Sequence, residues 1–250
     1  MSQVFSDNIL YYNPISVFSN VAVLLLCEKG IQDQFEFKPL QMGIDNNAPW
    51  YIKLNPKGQV PTLIHLGKPI PDSLAIARHL DTCFGPTPVF SADDPNVLKV
   101  VEQWRQVRVL SLVAGKKSST QDTTGIEANL NQSRQQLLKS MEEEPTLKEK
   151  YLVRLDVHDD RADLLLNHST YLKHKAGLES LLCDTERTLK ENDGCLVRNH
   201  SHTLADVYVT AILYWLMGKL DKDILKDKPA LKDYYLKQTA RPSFAKAFFN

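Results

Sequence analysis

The sequence predicts an α/β N-terminal domain joined to an all-α C-terminal domain. Three observations carry this expectation. A strand pattern, a helical face and a second strand follow one another between Ile9 and Pro39, and that order within about 30 residues is a βαβ unit. A strand pair and a helix then occupy the stretch from Val60 to Leu80. Beyond a proline-rich segment at Gly85–Pro95, strand alternation stops and the apolar residues recur with helical period. The expected boundaries are 1–84 for the first domain, 85–95 for a linker and 96–250 for the helical domain.

Ile9–Tyr12 is a short apolar run stopped by Asn13-Pro14, as for a buried strand. Val17, Val21, Leu24 and Leu25 recur at i, i+4, i+7 and i+8, the spacing of one helix face. Gly30 stands where a C-capping glycine belongs. Phe35–Pro39 reads as a second strand, and Asn55-Pro56-Lys57-Gly58 as a turn cluster. Val60–Leu66 is a third strand with a proline near its start; Gly67-Lys68 turns the chain, and Pro69-Ile70 opens a partner strand. Leu74, Ala77 and Leu80 mark the helix that follows Asp72-Ser73.

In the second domain, Val97–Val113 is predicted as one helix, its apolar stripe made by Val97, Val100, Val101, Trp104 and Val107. Gly115–Gly125, rich in serine and threonine, is expected to be a mobile loop. Ile126–Glu144 and Leu147–His158 read as polar helices and Tyr171–Glu191 as another. Thr203 and Asp206 have the N-cap and N3 spacing of a capping box, with aspartate in the glutamate place. Leu204, Val207, Tyr208, Ala211, Ile212 and Trp215 then follow with helical period, which predicts the central core helix of this domain. Pro229–Asn250 continues as short helices.

Lysine plus arginine (30) equals aspartate plus glutamate (30), so there is no long-range pull toward nucleic acid or an anionic membrane. Cys27, Cys83, Cys183 and Cys195 have no C-x-x-C spacing, which argues against a zinc pair or a dithiol motif and for a reducing compartment. Met1–Asn8 lacks the basic-then-apolar pattern of a leader, and Val207–Gly218 is too short to span a bilayer. A soluble, cytoplasmic protein without a membrane partner is expected. His200 and His202 suggest no third ligand and read as a loop before a capped helix, so no metal is expected. Lys148–Arg154 with Glu142–Glu144 reads as a charged helix face.

The most specific chemical signal is Asn55-Pro-Lys-Gly-Gln-Val-Pro-Thr-Leu63 followed by Ile70-Pro-Asp-Ser-Leu-Ala-Ile76. In a Val-Pro pair the cis bond costs only about 0.5–1 kcal/mol. A cis bond at Pro61 would turn the Val60 main chain outward, where its N–H and C=O could pair with an extended peptide. Asp72-Ser73 begins a helix, whose free N–H groups favour an anion. The ligand so implied has a peptide backbone and a carboxylate. The plainer reading is an edge-strand proline and an ordinary capped helix.

These segments resemble the glutathione-binding half of the glutathione transferase superfamily. The resemblance implies a thioredoxin-like N-terminal domain and the glutathione transferase fold. It implies that Val60, with Gln59 beside it, pairs with the cysteinyl backbone of glutathione, and that Asp72 and Ser73 hold its γ-glutamyl end. In several classes a lysine meets the glycyl carboxylate; that place falls on the uncharged Asn47 here. Counting back from Lys29-Gly30, Ser16 matches the catalytic serine, whose hydroxyl would stabilise the glutathione thiolate. A helix N-cap is the competing role for Ser16; Ser19 is the rival serine, and Tyr11 and Tyr12 lie slightly early. The position is not cysteine, which argues against the classes that need one there.

Trp104, Arg105 and Arg108 would line the electrophile pocket; otherwise Trp104 packs in the core and the arginines form a solvated face. The resemblance further implies glutathione as substrate, a small-molecule electrophile as its acceptor, a role in detoxification and a homodimer. The segment Ala48–Asn55 and the long helical stretch Leu137–Glu191 are similar to the ganglioside-induced differentiation-associated protein branch and its tetrachlorohydroquinone-dehalogenase-like relatives. Members of the first group carry a C-terminal membrane anchor, and no such segment is read here before Asn250.

Overall fold

The structure is a computed structural model that describes residues 8–85, 90–200 and 202–249. Residues 1–7 of the expected leaderless start, 86–89 of the expected linker, Ser201 and Asn250 lie outside the described residues. The first domain runs β1 (Asn8–Tyr12), α1 (Val17–Lys29), β2 (Glu36–Pro39), α2 (Pro49–Leu54), β3 (Thr62–His65), β4 (Lys68–Pro71) and α3 (Ser73–Cys83). Its sheet has the order β2-β1-β3-β4, with β1 parallel to β2 and the other pairs antiparallel.

Strand alternation decides the layers. Leu10 of β1 enters the main core with Val21, Leu25 and Ile76, while Tyr11 packs on the other face with Leu40, Tyr51 and Val60. Helix α1 ends because Gly30 takes φ +67, a conformation that glycine adopts freely; the Ile31 N–H then reaches Leu26 O at 3.0 Å. Helix α2, which periodicity did not reveal, opens on Pro49 and has only six residues. Proline suits that first position because its missing N–H would be unpaired there anyway.

The second part runs α4 (Pro95–Arg105), α5 (Val109–Ala114), α6 (Thr124–Glu143), α7 (Lys148–Leu166), α8 (His168–Glu191), α9 (Leu204–Lys219), α10 (Pro229–Thr239) and α11 (Pro242–Phe248). The single helix expected over Val97–Val113 is therefore two. The ladder tightens at its end, where the Gln106 N–H reaches Gln103 O and the Val107 N–H reaches Trp104 O; Arg108, at ψ +73, then leaves the helical region. Helix α7 continues past His158 to Leu166, and residues 115–123 are non-helical.

The capping box is present. The Thr203 hydroxyl oxygen accepts from the Ala205 N–H, and the Thr203 N–H donates to Asp206 Oδ2 at 2.7 Å. Helix α9 is buried continuously from Leu204 to Leu213, as expected for a helix surrounded by others, and packs against both α1 and α4. The main core thus runs without a break from Leu10 and Leu63 of the sheet to Leu216 and Tyr234. Among the described residues, no helix is long and apolar enough to cross a membrane.

Candidate functional site

Register brings the expected site residues to one end of the sheet. Tyr11 lies opposite Thr62, and Thr62 opposite Pro71. The chain leaving β1 toward Ser16, the chain entering β3 through Val60, and the step from β4 to Asp72 therefore share that end. The Val60-Pro61 bond is cis. Among the described residues, neither the N–H nor the C=O of Val60 makes a backbone hydrogen bond, while its side chain packs with Leu40 and Tyr51.

The turn before Val60 is held from beneath. Gln59 O accepts from the Tyr51 hydroxyl at 2.6 Å and from Asn55 Nδ2 at 2.8 Å, while the Gln59 side chain is exposed. Tyr51 and Asn55 also bond Thr62 Oγ1, at 2.9 and 3.0 Å. Burial pushes the Tyr51 phenol up to about 12, so it stays a donor at neutral pH. Gly58 takes φ +57, and a Cβ there would lie 2.8 Å from Asn46 O and 2.5 Å from Arg154 Cδ. Only glycine fits that crossing.

Asp72 does two things. Its Oδ1 caps α3, accepting from the N–H groups of Leu74 (2.8 Å) and Ala75 (3.4 Å). Both oxygens also face Arg105 of α4, in a fork with contacts of 3.2 and 2.7 Å. Burial alone would raise the Asp72 carboxyl; hydrogen bonds from Arg105, its charge and the α3 N–H groups outweigh that and hold it below the ordinary value. Arg105 also donates to the Tyr208 hydroxyl at 3.0 Å, and Tyr208 shares a hydrogen bond of 2.6 Å with Ser73 Oγ. Ser73 is 2% exposed, so its hydroxyl is occupied inside the interface between sheet and helices. Burial pushes Tyr208 up to about 12. The guanidinium lies 5.8 Å from the ring centroids of both Phe18 and Tyr208, within cation–π reach.

Ser16 is the N-cap of α1: its Oγ accepts from the Ser19 N–H at 3.3 Å. A hydroxyl has one donor and two acceptor sites, so capping leaves its O–H free to donate. The two roles weighed for Ser16 are therefore compatible. Its rival Ser19 is fully buried, with its Oγ accepting from the Asn13 N–H at 3.1 Å. Tyr11 packs against Trp50 and Tyr51, and Tyr12 against Phe37. The Trp215 indole N–H of α9 donates to Ile15 O at 2.9 Å, which fixes the chain one residue before Ser16.

The structure does not bring every expected residue into this cluster as a free group. Asn47 is buried; its Oδ1 accepts from Arg154 Nε at 2.8 Å and its Nδ2 donates to Gly43 O at 3.0 Å. That side chain is taken up in holding α7 to the first domain. Arg154 itself corrects the expectation of a charged face over Lys148–Arg154: it is 5% exposed, and burial followed by the charge of Arg161 lowers it to about 10. Trp104 is 1% exposed within the main core, which is the packing role, and Arg108 is exposed at the start of α5. Sequence reasoning considered Arg105 only as a pocket or surface residue, and Tyr208 only as a core residue. Their partners lie 33 and 135 positions away, beyond any local signal.

Two hollows, of about 510 and 460 Å³, are lined respectively by residues that include Tyr12, Phe37, Tyr214 and Phe248 and by residues that include Tyr11, Leu40 and Trp50. Neither includes Ser16, Val60, Asp72 or Ser73. The convergence of chain ends and helix N-termini, which needs no deep hollow to seat an extended peptide, is the stronger indicator of the site.

Residues 15–83 match the glutathione S-transferase N-terminal domain family. Glutathione S-transferase U10 of Arabidopsis thaliana is 30% identical over 105 residues, 42% of this chain and 44% of that one. Elongation factor 1-gamma 2 of Oryza sativa subsp. japonica is 23% identical over 210 residues, 84% of this chain and 41% of that one. The matches thus span less than half the length of these curated relatives. Among solved structures, Gtt2 of Saccharomyces cerevisiae superimposes with a TM-score of 0.68 at 16% identity, covering 96% of this chain and 99% of that one. With the four-stranded mixed sheet, the helical second part and the matched segment together, the chain has the glutathione transferase fold, with residues 15–83 similar to the glutathione S-transferase N-terminal domain family.

Proposed function

We propose that the chain binds glutathione at this end of the sheet and conjugates its thiolate to electrophilic small molecules. The observation that carries the reading is the convergence of three features: the unpaired Val60 main chain, the Asp72-capped start of α3 and the Ser16-capped start of α1. The cysteinyl backbone of the tripeptide pairs with Val60 beside Gln59, as an added strand pairs with an edge. The γ-glutamyl end carries both an ammonium and a carboxylate. Asp72 matches the first, and the Arg105 guanidinium beside it matches the second. Because the Ser73 hydroxyl is engaged by Tyr208, its part falls to its main-chain N–H at the helix start.

Ser16 then donates its hydroxyl hydrogen to the cysteinyl sulfur, and the N-terminus of α1 adds a favourable field. Free thiols titrate near 8.5, so both effects enlarge the thiolate fraction at neutral pH. The sulfur gives its electron pair to the electrophilic carbon, a C–S bond forms, and the leaving group departs with the pair of the bond it breaks. Arg108 and the exposed rim of α4 and α5 face the acceptor in this reading. The same reading carries a homodimer, a cytoplasmic location and a role in detoxification. The long helices α6, α7 and α8 support placement in the ganglioside-induced differentiation-associated protein and tetrachlorohydroquinone-dehalogenase-like branch.

A second reading, a binding or scaffolding module without conjugation chemistry, is favoured by the occupied side chains of Ser73 and Asn47. Retention on immobilised glutathione with elution by free tripeptide tests the binding. Steady-state rates with a chloronitrobenzene test the chemistry. Retention with turnover supports the transferase, retention without turnover supports a binding module, and no retention removes the transferase reading and favours the scaffold.

A further inference from the structure

The far end of α3 carries a second cluster. His79 and Cys83 stand one turn apart on α3, and His65 is the last residue of β3. His79 Nε2 lies 2.8 Å from His65 Nδ1, and Cys83 Sγ lies 3.7 Å from His79 Nδ1. One donor atom from each of the three falls within 4.8 Å of the others. We propose that His65, His79 and Cys83 form a binding site for a divalent transition-metal ion of the zinc class, with solvent completing the coordination.

The geometry is close to what such an ion requires. With zinc–nitrogen and zinc–sulfur bonds of about 2.05 and 2.3 Å, tetrahedral donors sit roughly 3.3–3.6 Å apart. The three donor atoms already lie within 4.8 Å of one another, so an ion would widen the 2.8 Å histidine pair and draw the Cys83 sulfur toward the His79 nitrogen that faces His65. Two imidazoles and a thiolate are borderline-soft donors, which suit zinc, cobalt or copper and not magnesium or calcium. The His65 ring packs against the Phe35–Phe84 pair, with ring centroids 6.3 and 5.0 Å away, so an apolar shell lies along one side of it. Cys83 is exposed and gives the ion an entry path. On binding, the Cys83 thiol loses its proton to solvent and no group changes oxidation state.

The local sequence hides this site. His65 and His79 are 14 positions apart and belong to different elements, so no spacing pattern joins them. The plainer arrangement is a hydrogen-bonded histidine pair beside a bystander thiol, and the two make different predictions. Cobalt(II) chloride titrated into the reduced, full-length protein should bind at one equivalent and give a thiolate-to-cobalt charge-transfer band that zinc(II) abolishes. The exposed Cys83→Ser variant should lose the band while keeping its helical circular dichroism. His79→Gln should weaken binding by at least the ~10-fold that even a supporting contact to a metal ligand is worth. No band at saturating cobalt in the wild type, or the same band and affinity in Cys83→Ser, would overturn the proposal. These readouts need no glutathione, so the outcome is independent of the transferase reading.

Discussion

Replacing Arg105 by methionine should destabilise the fold by about 2 kcal/mol. The side chain touches Asp72 through two nitrogen–oxygen contacts and Tyr208 through a third. An exposed ion pair is worth ~0.2–1 kcal/mol, whereas removing one member of a fully buried pair costs about 3–5 kcal/mol. The Arg105 and Asp72 side chains are 25% and 49% exposed, which places the pair between those limits and nearer the lower. Tyr208 adds little because Ser73 still satisfies its hydroxyl. For a chain of this size, ~2 kcal/mol lowers the melting midpoint by about 4–8 °C. A double-mutant cycle with Asp72→Asn isolates the contact, since asparagine retains the N-cap of α3. A coupling energy of ~1 kcal/mol or more is expected from urea denaturation. The Asp72 carboxyl is lowered in the folded state, so its stabilisation is present above its unfolded value near 3.9 and lost as the pH falls through the folded one. The gap between wild type and Arg105→Met should therefore close on acidification. Effects that add to within ~0.3 kcal/mol, or a gap unchanged at pH 2, would refute the ion-pair account.

Ser16→Ala should lower turnover with a chloronitrobenzene by about 10²-fold or more, as for loss of one transition-state hydrogen bond, and stability by ~1 kcal/mol through the lost cap; wild-type rates would take the thiol-activating role from Ser16. Gly58→Ala should cost at least ~2 kcal/mol, from the left-handed conformation and the crowding at Asn46 O; an unchanged urea midpoint would contradict the crossing. Asp206→Ala should cost ~3 kcal/mol, because the Tyr234 hydroxyl and Thr203 N–H both lose a buried acceptor; thermal unfolding measures it. Burial would raise the Glu28 carboxyl, but hydrogen bonds from Arg241 and Ser243 and the charge of His202 hold it below the ordinary value. Its contribution is full above about pH 4.3 and fades as the pH falls through the folded value, so Glu28→Gln should show a shallower acid limb in stability against pH.

How much of this was legible depended on the range of each interaction. Strand β1, helix α1 with its Gly30 terminus, the β3–β4 hairpin and the capped helix α9 each announce themselves within a dozen residues, through period or cap chemistry. The Val60-Pro61 geometry and the capped start at Asp72 were read from local motifs in the same way. Helix α2 escaped because six residues are too few to show a helical face. The break after Arg105 escaped because Val107 continues the apolar stripe while its N–H has already moved to a shorter hydrogen bond. Arg105 and Arg154 escaped for a different reason. A cation on a helix reads as a solvated group until its acceptor is known, and Asn47 is 107 positions from Arg154.

The grip of α7 on the first domain has a consequence for how the molecule can be divided. Ile52 of α2 is fully covered, and its cover is Leu137, Leu147, Tyr151 and Leu155, all from the helical half. The Tyr151 hydroxyl and Lys150 ammonium also hold the Asn47 and Lys53 carbonyls. Scission at the proline-rich joint would leave an isoleucine and several polar groups stripped of their neighbours. The sheet-bearing half is thus no interchangeable cassette: grafted onto a foreign set of helices, it would need a replacement for that embrace before it could stand.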